Sequence, residues 1–253
     1  MTIVTPSLNQ GDFIEAAIQS VLSQNYPNLE YIVADGGSTD HSLAVLEKYS
    51  GQIRWYSKKD KGQTEAINNG LRTANGEILA YLNTDDILLP GSLLEVGNLF
   101  ARHKDAGWLT GRCRIIDETG NDIRQPIALY KNLMLYSRSY PLLLMTNYIS
   151  QPATFWRKGL LETCGPFDEA LHYVMDYEYW LRLWKVTPPI IMHKNLAAFR
   201  IQSASKTTST AHLDRYIDEE REIIARHSSS RFWRFLHDAH RALMTRAYAF
   251  ING

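Results

Sequence analysis

Only two cysteines, Cys113 and Cys164, occur in the 253 residues. That excludes a disulfide framework, and the absence of Cys-x-x-Cys or Cys/His spacing leaves no structural zinc site. A reducing compartment is expected. Net charge is lacking too, with 27 Lys+Arg against 27 Asp+Glu. A whole-protein basic field for nucleic acid is therefore excluded, and attraction to phosphates has to be local. No apolar run approaches the length of a membrane span. The start, Met1-Thr2-Ile3-Val4, has no basic stretch followed by an apolar one, so no secretory leader is expected. Together these absences predict a cytoplasmic protein. No GxGxxG and no GxxxxGK(S/T) follows the first strand-like run, which weakens dinucleotide-binding, P-loop and nucleotidyltransferase readings. What remains is an ordinary globular balance, 45% hydrophobic and 21% charged. The length suits one large α/β domain or one domain with an appendage.

The first half alternates short apolar runs with helical periodicity. Ile3-Val4 predicts a strand ending near Pro6, and Asp12 with Glu15 predicts a capping box opening a helix through Phe13, Ala17 and Val21. Tyr31–Ala34, Ile53–Tyr56 and Ile78–Leu82 predict further strands, separated by helices through Leu43 and Leu46 and over Thr64–Thr73. This order predicts a mostly parallel sheet with helices on both faces. The runs are apolar throughout because parallel strands are buried on both sides. Ligands of such sheets bind beyond the carboxyl ends of the strands. The polar clusters Asp35–Asp40 and Asn83–Asp86 fall there.

The second half is less regular. A helix over Leu94–Arg102, a strand over Trp108–Ile116 and a turn at Glu118–Asn121 are expected. A helix over Asp176–Trp184, a strand over Leu196–Ile201 and a helix through Leu213, Ile217 and Ile224 follow. Residues 125–150 give no clear periodicity. After the break at Ser228-Ser229-Ser230, a helical face would carry Phe232, Leu236, Ala239, Leu243 and Phe250, with Arg231, Arg234 and Arg241 roughly opposite. A basic amphipathic helix of this kind suits an anionic membrane surface. The bland alternative packs its apolar face on the catalytic domain or on a second subunit, so self-association through 231–250 stands beside membrane contact.

Three carboxylate positions suggest chemistry. Asp85 and Asp86 are adjacent at a strand end, where two charges are costly to place without a purpose. A hard divalent cation, Mn2+ or Mg2+, would neutralise them and hold substrate phosphates, as such ions commonly do. The alternative is a helix N-cap. Asp35, followed by two glycines, could accept hydrogen bonds from a base or ribose, or close an Asx turn. Asp176, at a helix start, could serve as a base for a hydroxyl or as a cap.

Read in order, Thr5-Pro6-Ser7-Leu8-Asn9-Gln10-Gly11, Asp35–Asp40, Asp60-Lys61-Gly62, Ala66–Gly70, Gly76-Glu77 and Leu82-Asn83-Thr84-Asp85-Asp86 form one pattern. Gly165-Pro166-Phe167-Asp168-Glu169 and Met175–Leu183 extend it. Over about residues 2–205 the sequence closely resembles the family 2 glycosyltransferases. The resemblance implies the α/β A-type glycosyltransferase fold and inverting transfer of a sugar from a nucleotide-diphosphate donor to a glycan or lipid-linked acceptor. UDP is the commonest nucleotide in the family. It implies a catalytic domain over 1–205, its nucleotide-binding half at about 1–110 and its acceptor half at about 111–205, followed by a helical extension over 206–253. Surface-polysaccharide assembly is implied as the setting, with a peripheral place on the inner face of the plasma membrane.

Carried over position by position, Asp35 would contact the nucleotide base, with Thr5 and Asn9 lining that pocket and Lys61 and Asn68 close by. Asn83 opens the metal motif. Asp85 would contact ribose or metal, and Asp86 would hold the metal against the diphosphate. Asp176 would be the general base. Gln151, Trp156 and Tyr177 would border the acceptor, while Arg200 and Gln202 would face phosphate.

Two departures stand out. Met175 occupies a position that is Glu in many members, and Gln202 replaces a His, giving a poorer metal ligand. They motivate a competing reading, a non-catalytic nucleotide-sugar-binding or scaffold subunit. Asp176 argues against it, because a binder needs no base.

Overall fold

The computed structural model describes residues 1–202 and 213–252. The expected domain boundary at 205/206 and the late motif residues Ser203-Ala204-Ser205 lie outside them. Strands β1 (Thr2–Ser7) and β4 (Ile78–Tyr81) are buried throughout, and β2 (Glu30–Asp35) at all but its first residue. β3 (Arg54–Ser57) is exposed at both ends, as suits a polar edge strand. Helices α1 (Gly11–Leu22), α2 (Ser42–Lys48) and α3 (Gln63–Arg72) connect them. Gly70 lets α3 lie tight on β1, since a Cβ there would come within 2.5 Å of Val4.

Beyond these come β5 (Ile87–Leu88), α4 (Ser92–Arg102), β6 (Trp108–Ile116), α5 (Gln125–Tyr136) and α6 (Tyr140–Met145). A 3-10 turn at Gln151–Ala153 leads into β7 (Thr154–Arg157), α7 (Lys158–Cys164), α8 (Met175–Val186), β8 (Ile190–Arg200), α9 (Leu213–His227) and α10 (Arg231–Asn252). Among the described residues the strands form one sheet in the order β3-β2-β1-β4-β7-β6-β8-β5. The β3-β2-β1-β4 part is parallel, β7 runs antiparallel between β4 and β6, and β8 returns parallel to β6. β5 pairs with Ala197 and Ala198 of β8.

The strand order reverses around β1, and there the crevice opens. β1 pairs with β4 only from Thr2 to Val4. Pro6, which has no N–H to give, points to the side where β4 has already turned away, and its carbonyl accepts from Thr84 Oγ1 at 3.4 Å.

Four details differ from the sequence reading. The capping box does not form. Asp12 and Glu15 leave the start of α1 to Asp40, whose carboxylate accepts from Gly11 N at 2.9 Å, and to Ser42, whose Oγ accepts from Gln10 N at 3.1 Å. The unreadable stretch 125–150 supplies α5 and α6. β8 starts earlier than expected, at Ile190. Of the alternatives for α10, packing of its apolar face on the catalytic domain is the one the structure does not show: Phe232 is 60% and Leu243 63% exposed, while His237 is 3% exposed. Arg241, opposite that face as expected, contacts buried Glu220. The side chain of Phe250 lies outside those described.

Candidate active site

The donor side is built from loops beyond β1, β2 and β3. Asp35 is 1% exposed and fully engaged. Its Oδ2 accepts from Gly37 N at 3.0 Å, Ser38 N at 2.9 Å and Ser57 Oγ at 2.6 Å, and its Oδ1 from Ser38 Oγ at 2.5 Å. The carboxylate therefore closes an Asx turn and ties β3 to it. Asn9, at φ 51°, holds the same loop from the other side, its Oδ1 accepting from Thr39 N at 2.8 Å and its N–H reaching Ser38 Oγ at 2.8 Å. Between these loops lies a cleft of about 420 Å³ lined by Leu8, Gly36, Gly37, Lys59, Asp60, Lys61 and Gly62. Gly36 is needed there, because a Cβ would meet the Asp60 carboxylate at 2.9 Å. Lys61 is exposed on the wall of the cleft, with its backbone N–H on Glu65 Oε2 at 2.6 Å. Thr5 lies beneath, wholly buried, with its hydroxyl 2.9 Å from Tyr31 OH.

The adjacent carboxylates at the end of β4 have opposite surroundings. Asp86 is fully buried. Its Oδ1 accepts from Arg200 N at 2.9 Å and its Oδ2 from Asn83 Nδ2 at 3.2 Å. Burial, with the Asp85 charge second, raises it well above the ordinary carboxylate range. Asp85 is only partly buried, and its Oδ2 accepts from Gln202 Nε2 at 3.0 Å. β8 brings Gln202 there through its pairing with β5. Among the described residues no three His, Cys, Asp or Glu side chains cluster as a ready metal cage. The Asp85 carboxylate is a hard oxygen donor, and Gln202 turns its amide N–H rather than its oxygen toward it. Such a carboxylate fits a magnesium- or manganese-type ion that completes its shell with water and substrate phosphate.

Asp176 stands at the first turn of α8, partly buried, with Oδ1 accepting from Tyr177 N at 2.7 Å. Burial raises its pKa, while the Tyr177 N–H, the Lys131 charge and an Asn147 hydrogen bond pull it back. The two carboxylate sites are brought together around Tyr81, the last residue of β4. Burial chiefly, and then the charges of Asp176 and Asp86, push that phenol well above its ordinary range. A carboxylate with a raised pKa and the Asp85-Asp86 pair thus lie on either side of Tyr81.

The structure reassigns several expected site residues. Asn68 is 3% exposed and clamps the acceptor segment, with Nδ2 on Phe167 O and on Glu169 Oε1, both at 2.9 Å, and Oδ1 on Phe167 N at 3.0 Å. Arg200 engages three backbone carbonyls through Nε and Nη1, of Asp85 at 2.8 Å, Asp117 at 3.0 Å and Glu118 at 2.9 Å, which fixes its guanidinium beside Asp85. Trp156 is wholly buried against Phe167, Tyr179 and Trp180, and Tyr177 is 1% exposed with its hydroxyl on Leu143 O. Both are core rather than acceptor walls, and Trp180 is core as well. Gln151 remains at the site's edge, its Nε2 on Tyr81 O at 2.7 Å and its Oε1 facing Asn83 at 3.4 Å. Lys131 and Asn147 were missed. They come from the aperiodic stretch 125–150, and no spacing links either to Asp176.

Solved structures share this architecture. The mannosyltransferase PcManGT from Pyrobaculum calidifontis, in complex with GDP-Man and Mn2+, has a TM-score of 0.71 at 17% identity and covers 93% of this chain and 67% of that one. Staphylococcus aureus TarS 1–349, in complex with UDP-GlcNAc, has a TM-score of 0.68 at 18% identity and covers 89% and 65%. The α/β fold is the A-type glycosyltransferase fold, here with C-terminal helices. The family model described as Glycosyl transferase family 2 matches residues 2–162. The chain belongs to that family and is a glycosyltransferase. The GalNAc(5)-diNAcBac-PP-undecaprenol beta-1,3-glucosyltransferase of Campylobacter jejuni is 26% identical over 223 residues, 85% of this chain and 69% of that protein. The chain spans 66% and 69% of the length of two curated Rickettsia relatives and 27% to 32% of three others. Asp176 lies beyond the residues that the family model covers.

Proposed function

We propose that the protein is an inverting, metal-dependent transferase that moves a sugar from a nucleotide-diphosphate sugar, a UDP-sugar by first choice, to a hydroxyl of a glycan or lipid-linked acceptor. The observation that carries this reading is that Tyr81, at the end of β4, feels the charges of both Asp86, next to the partly buried Asp85, and Asp176, whose own pKa is raised by burial. The nucleotide occupies the cleft between the 35–40 loop and Lys59–Gly62. The diphosphate lies toward Asp85, whose carboxylate would hold the divalent ion, with the Gln202 amide N–H hydrogen-bonded to that carboxylate. When bound, that ion supplies positive charge against the leaving diphosphate. Asp176 takes the proton of the acceptor hydroxyl. The freed oxygen bonds to the anomeric carbon from the face opposite the diphosphate, whose bond to that carbon breaks. One displacement inverts the centre.

The Campylobacter relative's undecaprenol-linked substrate supports a lipid-linked acceptor, and with it a role in cell-surface glycan assembly at the cytoplasmic side of a membrane. TarS with UDP-GlcNAc supports a UDP donor, while PcManGT with GDP-Man and Mn2+ keeps GDP in the test and supports the metal. The scaffold alternative rests on Met175 and Gln202. Met175 is buried and accepts from Thr64 Oγ1 at 2.7 Å, a place where a Glu charge would need a partner. Gln202 keeps a hydrogen bond to Asp85.

Calorimetric titration with UDP, GDP and dTDP, with and without Mn2+, tests the donor and metal together. One nucleotide is expected to bind in a metal-dependent way, and Asp85→Ala to abolish that dependence. A folded protein that binds none of the three overturns the reading.

A further inference from the structure

Helix α10 lies inside out by the usual rule for a surface helix. Its inner side carries Trp233, His237, His240 and Arg241. His237 Nδ1 donates to Met145 O at 3.0 Å, His240 Nε2 meets Tyr130 OH of α5 at 2.6 Å, and Arg241 contacts buried Glu220. Its outer side carries Phe232, Phe235 and Leu243, which are 60%, 68% and 63% exposed. At 3.6 residues per turn these three and Ala239 fall on one stripe. The polar side is anchored by named partners, so the helix cannot simply roll over to bury the apolar one.

The apolar exposure is concentrated rather than scattered. Among the described residues nine large hydrophobic side chains are exposed, and five lie on α10 and α5, the latter contributing Leu129 and Leu133 beside Tyr130. Isolated exposed leucines are ordinary, but a grouped apolar face marks a contact surface.

The charges decide what the contact is. Arg231, Arg234 and Arg246 of α10 are exposed. Its one acidic residue, Asp238, is engaged by Arg221 at 2.9 Å. Arg246 lies on the apolar stripe and Arg231 toward its flank, so a two-fold dimer through this face would bring these arginines toward their copies, an arrangement that opposes association. An anionic lipid surface satisfies both features, taking aromatic and aliphatic side chains below the headgroups and arginines among them. We propose that α10, together with the outer side of α5, docks the protein on an anionic membrane with α10 in the plane of the interface. The same α5 carries Lys131, whose charge acts on Asp176, so the docked face lies next to the acceptor side. That last consequence rests on the proposed function; the docking itself does not.

The test is sedimentation of the full chain with vesicles of phosphatidylcholine alone and of phosphatidylcholine with one-third phosphatidylglycerol, at low and at physiological salt. The protein is expected to pellet with the anionic vesicles only, and less at the higher salt. The double variant Arg231→Gln/Arg246→Gln should weaken binding about twenty-fivefold, at about fivefold per arginine. Phe232→Ser/Phe235→Ser should also release the protein. All four side chains are exposed, so melting and nucleotide binding should be unchanged in both variants. Equal binding to neutral vesicles, or full binding by the Phe double variant, overturns the proposal. So does a light-scattering dimer that the Phe variant dissociates in a protein that ignores vesicles. Nucleotide binding measured on the same samples separates the two claims: its loss with vesicle binding intact sinks the proposed function and leaves the docking standing.

Discussion

Asp85 and Asp86 differ by one position in sequence, and their surroundings divide the labour. The buried carboxylate of Asp86 joins β8 to the end of β4 through Arg200 N, while Asp85 faces the crevice. Asp86→Ala should therefore lower unfolding free energy by about 1–3 kcal/mol in urea titrations, because two donors are left unpaired. Asp85→Ala should unfold near wild type and fail only in metal-dependent nucleotide binding. A swap of those phenotypes would refute the assignment. Asp176 sets a pH prediction. Its pKa is raised by burial, and as a base it must be ionised, so transfer should fall on the acid side above the ordinary carboxylate range. Lys131 holds that pKa down, so Lys131→Met should move the acid limb of kcat/KM to higher pH. A limb that stays put or moves down removes Lys131 from the site. Stability runs the other way: a group whose folded pKa is raised loses its contribution as pH rises through that value. Asp176→Asn should thus be inactive yet gain stability over wild type as pH rises from 4 to 8.

At the scale of elements, α9 holds the segment that carries Asp176. Glu219, 7% exposed, accepts from His172 N and Tyr173 N at 3.0 and 2.8 Å. Arg226 reaches Asp168 at 2.8 Å, and His227 reaches Glu178 at 3.2 Å. Glu219→Ala should speed amide exchange at His172 and Tyr173 and slow transfer while leaving nucleotide affinity unchanged. If exchange rises but turnover does not, α9 is a structural brace only. Element existence was legible wherever burial imposed a period: β1, β2, β4, α3 and α8 all stand where their apolar patterns put them. The capping box failed because Asp40, 28 residues after Asp12, supplies the cap from another loop. α5 escaped because its apolar residues divide between core and solvent, Leu135 at 2% exposure and Leu133 at 60%, so no single stripe forms.

The whole molecule is held by one sheet running through both halves and by an aromatic core on the acceptor side. Trp108 stacks on Trp180 at 5.9 Å, Trp156 meets Trp180 edge-on at 5.8 Å, and Phe167 stacks on Tyr179 at 4.1 Å. Trp156→Ala should cost about 3–5 kcal/mol, and donor- and acceptor-side probes should unfold together because β4 and β7 are paired. Separate transitions would show two independent units. By itself the sequence determined the fold class, the strand ends where ligands bind, and Asp35, Asp85, Asp86 and Asp176 as the carboxylates to watch, because hydrophobic period and local turn chemistry act over a few residues. Only the tertiary structure decided which carboxylate is buried and which open, that Trp156, Tyr177 and Asn68 are buried in the framework, that the Lys131 charge acts on Asp176, and which side of α10 meets solvent. Each of those depends on partners brought from far along the chain, and burial is a property of the packed neighbours rather than of the residue.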